Sequence, residues 1–269
     1  MYLINRGIYM HGLFGTKHLI LIGISVVLIV VISILCRKVS LNTWFKTMLY
    51  VGIVSETIKV FYYIIQNEAV YGGYLPKTDL PFHLCSIQIL FIVFLNVSKS
   101  EKLKRILLSF MLPSCLIGGF AAILIATDSS RNGMWILSVQ YFGYHIMLVA
   151  FAIHLLTNKD MNWMFKDYLN ALKFLGVMAF IAIYINSMFY DVVEYTNENG
   201  QKIVEMINRV NFMYVVDPPQ DGLPFLNKDQ GWFVYIIRYG ILAVGAISLI
   251  YIKPIINAIK SLFNHKKVA

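Results

Sequence analysis

Charged residues are scarce in this chain, at 14% of its 269 residues, whereas 58% of the residues are apolar. A soluble domain has about half apolar and about a quarter charged residues, so a soluble globular protein is excluded. The chain also lacks a glycine-rich phosphate loop, paired cysteines at a zinc-binding spacing, and a basic run with interleaved aromatic residues. We therefore expect no cofactor, no metal ion and no nucleic-acid partner.

Cysteine is rare as well, with only Cys36, Cys85 and Cys115 present. All three lie in or beside apolar runs, which is a poor basis for a disulfide framework. The cellular compartment therefore has to be argued from the distribution of charge and not from disulfides.

What the chain has in abundance is long uncharged stretches, each close to the roughly 20 residues that cross a bilayer. They predict an all-α polytopic membrane protein, a bundle of seven transmembrane helices forming one membrane domain over residues 1–269. The predicted helices cover about residues 19–36, 47–65, 80–97, 106–126, 134–156, 174–190 and 232–252.

Lysine and arginine are distributed unequally between the connecting segments. If the amino terminus is outside, the inner segments carry 14 of these residues and the outer segments carry 7. The excess of positive charge on the cytoplasmic side predicts an external amino terminus and an internal carboxyl terminus in the plasma membrane. Lysine outnumbers arginine 17 to 6, which is typical of a low-GC bacterium.

One outer loop is long, spanning residues 191–231, and it contains seven acidic and three basic residues. The run Asn197–Gly200 has turn chemistry between two mixed segments. We expect this loop to fold over the outer mouth of the bundle, where it offers a surface for a protein partner. Membrane lipids are the other expected partners.

Several polar residues interrupt the predicted spans. An ionisable group in hydrocarbon is costly, so it normally faces the bundle interior or a water-filled cavity. The inner half has almost none beyond His154, so we expect a cavity that opens toward the outer leaflet. Alternatively, the polar groups only join helices by hydrogen bonds. The outer-half candidates are Glu56, Lys59, His83, Cys85, Gln140, His145, Asn186 and Arg238.

Two pairings within this set are specific enough to test. Glu56 and Lys59 lie one turn apart on the same helix face and can neutralise each other. We also expect Glu56 or Lys59 to line a single cavity together with His145 and Arg238.

Cys85 is the candidate nucleophile. Asp79 is predicted to cap the third helix and Pro81 to occupy its first turn, which places Cys85 near the positive end of the helix dipole. That position favours a thiolate, the reactive form of cysteine. The alternative is that Cys85 is a small packing residue.

A base for Cys85 has to come from another helix. His83 lies two residues away, on the opposite face of a regular helix, so His145 is the candidate base and Glu56 the group that orients it. A zinc site built from His83, Cys85 and His145 is disfavoured, because the set has no clear fourth ligand.

Short motifs carry a family resemblance: Leu80–Cys85, Gln140–His145, Asn211–Tyr214, Pro218, and Gly231–Phe233 with Tyr235. Over nearly the whole chain they resemble the YwaF-type family of bacterial integral membrane proteins. That family is similar to a eukaryotic transmembrane acyltransferase family that acts on ether phospholipids through a cysteine.

The resemblance implies acyl transfer on lipid, with Cys85 as nucleophile, His145 as base, and His83 and Asn211 as supporting residues. One departure is that Leu84 separates His83 from Cys85, whereas the eukaryotic proteins have a histidine directly beside the cysteine.

Two other function classes stay open. A non-catalytic accessory or lipid-binding protein would use the outer loop and need no chemistry at Cys85. A small-molecule transporter would place Glu56, Lys59, Asn186 and Arg238 in a central cavity. The sequence shows neither an inverted repeat nor a pair of broken helices, which are the usual signs of a transport site.

Overall fold

The computed structural model describes residues 14–66, 75, 77–126, 135–197, 199–207, 209–219 and 225–265. Within these residues the chain forms eight α-helices and one β-hairpin. The predicted start of the fifth helix, residue 134, and parts of the predicted outer loop (198, 208 and 220–224) lie outside the described residues. The helices are α1 (Thr16–Leu35), α2 (Leu41–Gln66), α3 (Ile87–Val97), α4 (Glu101–Leu124), α5 (Trp135–Thr157), α6 (Phe165–Met188), α7 (Trp232–Ile250) and α8 (Ile252–His265).

Six of the described helices, α1, α2, α4, α5, α6 and α7, are long and apolar enough to cross a membrane. The all-α, multi-pass prediction is therefore confirmed. Seven continuous spanning helices are not found in this part of the chain, because α3 has only 11 residues. At 1.5 Å per residue α3 is about 16 Å long, roughly half the thickness of the hydrocarbon core.

The third helix was predicted to begin at Leu80, and this prediction is wrong. Residues 80–86 form consecutive turns, called here the unwound segment, and regular helix begins at Ile87. Asp79 belongs to a short 3-10 helix and does not cap α3. Pro81 disfavours helical backbone at Leu80, and the Phe82 N–H donates to the Leu80 carbonyl in a tight turn.

The unwound segment and α3 together run antiparallel beside α2. Near one end, the Lys59 ammonium group donates to the Asp79 carbonyl at 3.0 Å. Near the other end, the Asn96 side-chain amide donates to the Phe45 carbonyl at 3.1 Å. Residues 79–96 therefore cover the same depth as most of α2, and the unwound segment lies within the bundle, not in a surface loop.

Contacts between helix termini define two ends of the bundle. His18 in the first turn of α1 lies 3.0 Å from the carbonyl of Ile123 in the last turn of α4. The end that contains this contact also contains the β-hairpin and is called the hairpin end. Tyr168 near the start of α6 hydrogen-bonds Ser248 near the end of α7 at 3.1 Å, at the opposite, lysine-rich end, called the basic end.

The hairpin pairs β1 (Asp191–Thr196) with β2 (Lys202–Ile207) in antiparallel register. Its turn confirms the turn chemistry that the sequence predicts. The Asn197 side-chain oxygen accepts from the Gln201 N–H at 2.8 Å, and Gly200 adopts a φ of +74°, which glycine tolerates without strain. The Lys77–Asp191 ion pair, at 2.5 Å, joins the hairpin to the segment before α3.

Helices α4 and α5 form the centre of the bundle. In the most apolar part of each of these two helices, 61% of the residues are buried inside the protein, compared with 17% in α1, α2 and α6. The two backbones approach closely at Gly119, where an added Cβ would lie 2.6 Å from a methyl group of Val149. The remaining helices pack around this pair, and their outward apolar faces are left for lipid.

Candidate functional site

Lys59 organises the start of the unwound segment. The predicted Glu56–Lys59 pair is confirmed, with 2.5 Å between the ammonium nitrogen and a carboxylate oxygen. The Lys59 and Glu56 side chains are only 14% and 25% exposed, and Lys59 also donates to the Asp79 backbone carbonyl. Helix α2 thus carries a partly buried ion pair that fixes the chain just before the residues carrying His83 and Cys85.

Cys85 lies at the junction of the unwound segment with α3. Its thiol is free, and its carbonyl accepts a hydrogen bond from the Tyr144 hydroxyl at 2.9 Å. Lys59 is close enough to interact electrostatically with Cys85, and so are the side chains of Tyr144 and Tyr214. The thiol therefore has one positive charge and two phenol groups in its surroundings.

His83 packs at the aromatic side of the same site. Its ring lies edge-on to Phe212, with 5.2 Å between centroids, and 5.9 Å from the ring of Tyr214. Because residues 80–86 are not helical, the regular-helix geometry that separated His83 from Cys85 in the sequence-based prediction does not apply here.

His145 is buried on α5, and only one of its two ring nitrogens makes a hydrogen bond within the described residues. Nδ1 lies 2.7 Å from the Tyr141 carbonyl, so this nitrogen carries the proton and donates. Nε2 is then an acceptor, and it has no hydrogen-bond partner among the described residues. His145 therefore makes no direct hydrogen bond to the Cys85 thiol, and Tyr144, one residue earlier, is the α5 residue that bonds to Cys85.

A polar cluster that the sequence-based prediction missed lies on α3 and α4 next to Cys85. The Gln88 amide donates to the Leu84 carbonyl and to the Ser114 hydroxyl, both at 3.0 Å. The Cys115 thiol donates to the Gln88 side-chain oxygen at 3.5 Å. In the sequence, the only sign of this cluster is Gln88, a single amide in an otherwise apolar run. Its role can be recognised only when the start of α3 is known to be Ile87.

Residues 211–216, called here the outer wall, cover the aromatic side of the site. Asn186 on α6 holds Phe212 at both backbone atoms, donating to its carbonyl at 3.0 Å and accepting from its N–H at 2.8 Å. The Asn211 side-chain oxygen accepts from the N–H of Val216 at 3.1 Å. The predicted supporting residues Asn186 and Asn211 therefore shape the outer wall.

Helix α7 holds the outer wall from the other side. The Tyr235 hydroxyl donates to the Tyr214 carbonyl, and the Trp232 indole donates to the Val215 carbonyl at 2.8 Å. Burial raises the pKa of Tyr214 to about 12, so its hydroxyl stays protonated at neutral pH and is available as a donor. Met213 and Tyr214 both adopt positive φ angles, 56° and 54°, which non-glycine residues rarely do.

The motifs that form this site, from the unwound segment to the outer wall and the start of α7, all fall within residues 13–251, which match the sequence model of the TMEM164 family. The chain belongs to the TMEM164 family. Comparisons with curated proteins and with solved structures found no match. The resemblance is thus confirmed as one to a TMEM164-type membrane family, and membership of the YwaF-type bacterial group stays a prediction.

Two predicted site residues of this TMEM164-family chain lie apart from Cys85. The Arg238 guanidinium bonds the side chains of Asn227 at 3.0 Å and Gln230 at 2.8 Å, so it serves the segment before α7. Gln140 donates to the Ser55 hydroxyl at 2.7 Å and ties α5 to α2. In the part of the chain that the structure describes, no hydrogen bond or ion pair joins Arg238, His145 and the Glu56–Lys59 pair, so their single cavity stays a prediction.

The prediction that the inner half has almost no polar groups is wrong. At the basic end, the Arg105 guanidinium makes two hydrogen bonds, at 2.8 and 2.6 Å, to the Asp167 carboxylate, which is 1% exposed. The guanidinium also stacks over Trp163, 4.8 Å from the ring centre. Because α4 and α6 begin five and nine residues earlier than predicted, charges assigned to loops lie inside helices.

This Arg105–Asp167 pair belongs to a closed network. Ser109 donates to Asp167 at 3.2 Å, and the Tyr251 hydroxyl donates to the Ser109 carbonyl at 2.8 Å. The Met164 N–H donates to the second carboxylate oxygen at 2.8 Å.

Among the described residues of this family member, no group of three or more His, Cys, Asp or Glu is arranged to hold a metal ion.

Proposed function

We propose that this TMEM164-family protein is a membrane-embedded acyltransferase-like enzyme that acts on lipid, with Cys85 as its nucleophile. The observation that carries the proposal is that Cys85 lies on non-helical backbone within the bundle, just after the segment that Lys59 holds through the Asp79 carbonyl. Such backbone is tolerated at membrane depth where it is buried in protein or lines a cavity. The sequence resemblance supplies the reaction class, acyl transfer between phospholipids.

In the proposed reaction, the Cys85 thiolate attacks the ester carbonyl of a donor lipid. The carbon–sulfur bond forms first and leaves a tetrahedral carbon with a negative oxygen; the carbon–oxygen bond then breaks, and the departing lysolipid oxygen takes the proton that the base removed from the thiol. The hydroxyl group of an acceptor lipid then attacks the thioester, gives up its proton and restores the thiolate. Lys59 stabilises the thiolate by its charge, and the protonated Tyr214 hydroxyl is a donor for the negative oxygen that forms on the carbonyl carbon.

His145 is the proposed base, because its Nε2 is an acceptor with no partner among the described residues and its Nδ1 is fixed by the Tyr141 carbonyl. It acts on Cys85 through a water molecule or through the acceptor hydroxyl, since the two side chains make no direct bond. His83 is the alternative base, because it lies on the same irregular segment as Cys85. Glu56 acts through Lys59, its ion-pair partner, and not through His145.

The proposed orientation is an external amino terminus and an internal carboxyl terminus in a bacterial plasma membrane, with seven passages of which the third is the broken one. The hairpin end then faces outward, and the reaction occurs in the outer leaflet. Single cysteines at Asn199 and Lys260 in a cysteine-free protein test this with a membrane-impermeant thiol reagent in cells. Labelling of the first and protection of the second is expected, and the reverse pattern contradicts the orientation.

The central experiment is to incubate the purified full-length protein with phospholipid donors and to isolate a hydroxylamine-labile acyl adduct. We expect the adduct on Cys85, and we expect Cys85→Ser to abolish both the adduct and the transfer of acyl chains. Cys36→Ser is the matched control and should retain both. Full transfer activity in Cys85→Ser, or no adduct from any phospholipid donor, contradicts the proposal.

Histidine variants identify the base. We expect His145→Gln to lower the rate of adduct formation by about a hundredfold or more, the usual contribution of a general base. His83→Gln should change the rate by less. The opposite ranking assigns the role of base to His83 and leaves Cys85 as nucleophile.

A second candidate is a non-catalytic accessory or lipid-binding protein, which the hairpin favours. Its apolar side chains Val192, Tyr195, Val204 and Met206 are exposed at the hairpin end, where a protein partner can reach them. A hairpin variant that loses its biological role while Cys85→Ser keeps it supports this candidate.

Small-molecule transport is less well supported. The side chains of Met111, Cys115 and Leu148 are 0%, 0% and 1% exposed, and they fill the bundle below Cys85. Such tight packing does not favour a transport path from Cys85 to the basic end.

A further inference from the structure

Helix α8 begins at the basic end of the bundle, one residue after the membrane-spanning helix α7. The residue between them, Tyr251, is 1% exposed and its hydroxyl donates to the Ser109 carbonyl, which anchors the junction against α4. Pro254 accounts for the break, because it lacks the N–H that a continuous helix would use to bond the Ile250 carbonyl. Helix α8 therefore starts directly at the end of the membrane-spanning helix α7.

One side of α8 packs on the protein. Pro254 is buried, Ile255 and Ala258 are half-buried, and the helix contacts both α6 and α7. This contact fixes the rotation of α8 about its own axis and so determines which residues face away from the bundle.

An adjacent face of α8 is apolar and exposed. Its side chains recur at three-, four- and seven-residue intervals, which places them on one side of a helix. Their exposed fractions lie between 42% and 67%, far more than the bundle would leave uncovered in water. The residues are Ile252, Ile256, Ile259, Leu262 and Phe263.

The edge of that apolar face carries positive charge. Lys253 and Lys260 are seven residues apart, share one side of the helix next to Ile256, and are exposed. The uncharged polar residues Asn257 and Ser261 lie beyond them. Around the circumference of α8, the side packed on the bundle is thus followed by the apolar face, then by the two lysines, and then by the uncharged polar residues.

We infer that α8 lies in the headgroup region of the leaflet at the basic end and binds an anionic lipid surface. The apolar face contacts acyl chains, Lys253 and Lys260 contact negatively charged headgroups, and Asn257 and Ser261 face water. Amphipathic helices with lysines on the polar side lie in this way. The position of α8, directly after a spanning helix, favours lipid over a second copy of the chain as the occupant. The inference does not depend on chemistry at Cys85.

Depth-dependent quenching tests the placement in the full-length protein, reconstituted in phosphatidylcholine vesicles with and without phosphatidylglycerol. An environment-sensitive fluorophore is attached to a single cysteine at Ile259 or, as the matched control, at Asn257. We expect lipids with a spin label near the top of the acyl chain to quench the label at 259, and aqueous iodide to quench the label at 257. Iodide quenching of both labels, or protection of both from iodide and lipid quenchers, overturns the inference.

The charge component has its own measurement. Spin-labelled phosphatidylglycerol and phosphatidylcholine are compared for their association with the protein. Because each lysine near a surface contributes about a fivefold preference for anionic lipid, Lys253→Gln with Lys260→Gln should remove most of the selectivity. Lys159→Gln, on the connection between α5 and α6, with Lys166→Gln, at the start of α6, is the control pair. Unchanged selectivity in the α8 variant overturns the role of these lysines.

Discussion

The two ends of the bundle use their charged side chains differently. At the basic end, Arg105 makes two bonds to one carboxylate, and Ser109 and Met164 use that carboxylate's remaining acceptor capacity. At the hairpin end, Lys59 divides its donors between Glu56 and a backbone carbonyl. Arg105 and Asp167 are thus fully paired and hold helices together, whereas the Trp44 indole and the His154 Nε2 near the same end have no hydrogen-bond partner among the described residues.

At the hairpin end, the hydrogen bonding of buried polar groups is incomplete. The His145 Nε2 has no partner in the described part of the chain, and the backbone of residues 80–86 is not regular. Buried groups that are left unsatisfied cost free energy, and a bound ligand is one way to satisfy them. The two ends therefore differ in how completely their charged residues are paired, and the following predictions test that difference.

The largest effect is expected from Asp167→Ala at the basic end. This change leaves the Arg105 guanidinium without its carboxylate, and breaking a buried pair typically costs about 3 to 5 kcal/mol. We expect the Tm, followed by tryptophan fluorescence in detergent, to fall sharply. The surviving folded protein should keep its Cys85 reactivity.

Glu101→Gln is the control for Asp167→Ala. Glu101 lies on the same helix as Arg105 and pairs with Lys104, but its side chain is 83% exposed. Its loss should cost less than about 0.5 kcal/mol. Equal effects of the two variants would mean that the basic end is not held by the Arg105–Asp167 pair.

The next effect concerns the central contact that joins the two ends. Gly119→Ala places a methyl group 2.6 Å from Val149, so α4 and α5 have to separate slightly. Overpacking of this kind costs about 1 to 3 kcal/mol, and we expect a corresponding fall in Tm. Gly143→Ala on α5 meets no atom within 4 Å and should be neutral or slightly stabilising. A harmless Gly119→Ala would contradict the close helix approach.

A smaller effect on stability but a clear one on chemistry is expected from Lys59→Met. Loss of the charge should slow alkylation of Cys85 by a small thiol reagent about tenfold, equivalent to about 1.4 kcal/mol less stabilisation of the thiolate. The measurement uses a protein in which Cys85 is the only cysteine. Lys77→Met, which removes a nearby but more exposed ion pair, is the control and should leave the alkylation rate unchanged.

The smallest effect is expected from Ser55→Ala. This change removes the hydrogen bond from Gln140 that ties α5 to α2. Interhelical hydrogen bonds within membranes contribute about 0.6 kcal/mol on average. A shift in Tm close to the detection limit is therefore expected, and a large loss would show that Gln140 belongs to the reactive network.

Hydropathy predicted the membrane class and six of the spanning helices because it measures a property of each segment by itself. It failed at residues 80–86 because Leu80, Phe82, Leu84 and Cys85 continue the apolar run of α3, and hydropathy does not register turns. Arg105 and Asp167 were missed for a related reason. A charge near a helix terminus looks like part of a loop until its buried partner is known.

For the candidate site, a contact within one helix could be predicted from residue spacing, whereas contacts between helices could not be predicted. The Glu56–Lys59 pair follows from a three-residue separation and was predicted correctly. The partnership of Tyr144 with Cys85 depends on how α5 is rotated against the unwound segment. No property of Tyr144 in the sequence distinguishes it from the neighbouring Tyr141.

Met213 and Tyr214 in the outer wall show what a single amide can control. Two consecutive non-glycine residues with positive φ store about 1 to 3 kcal/mol of backbone strain each. Asn186 opposes the release of that strain by bonding both backbone atoms of Phe212, whose ring covers His83. Asn186 on α6 therefore holds the outer wall in a strained conformation. Loss of the Asn186 amide would let Phe212 move away and would expose His83, the histidine nearest to Cys85 in the sequence.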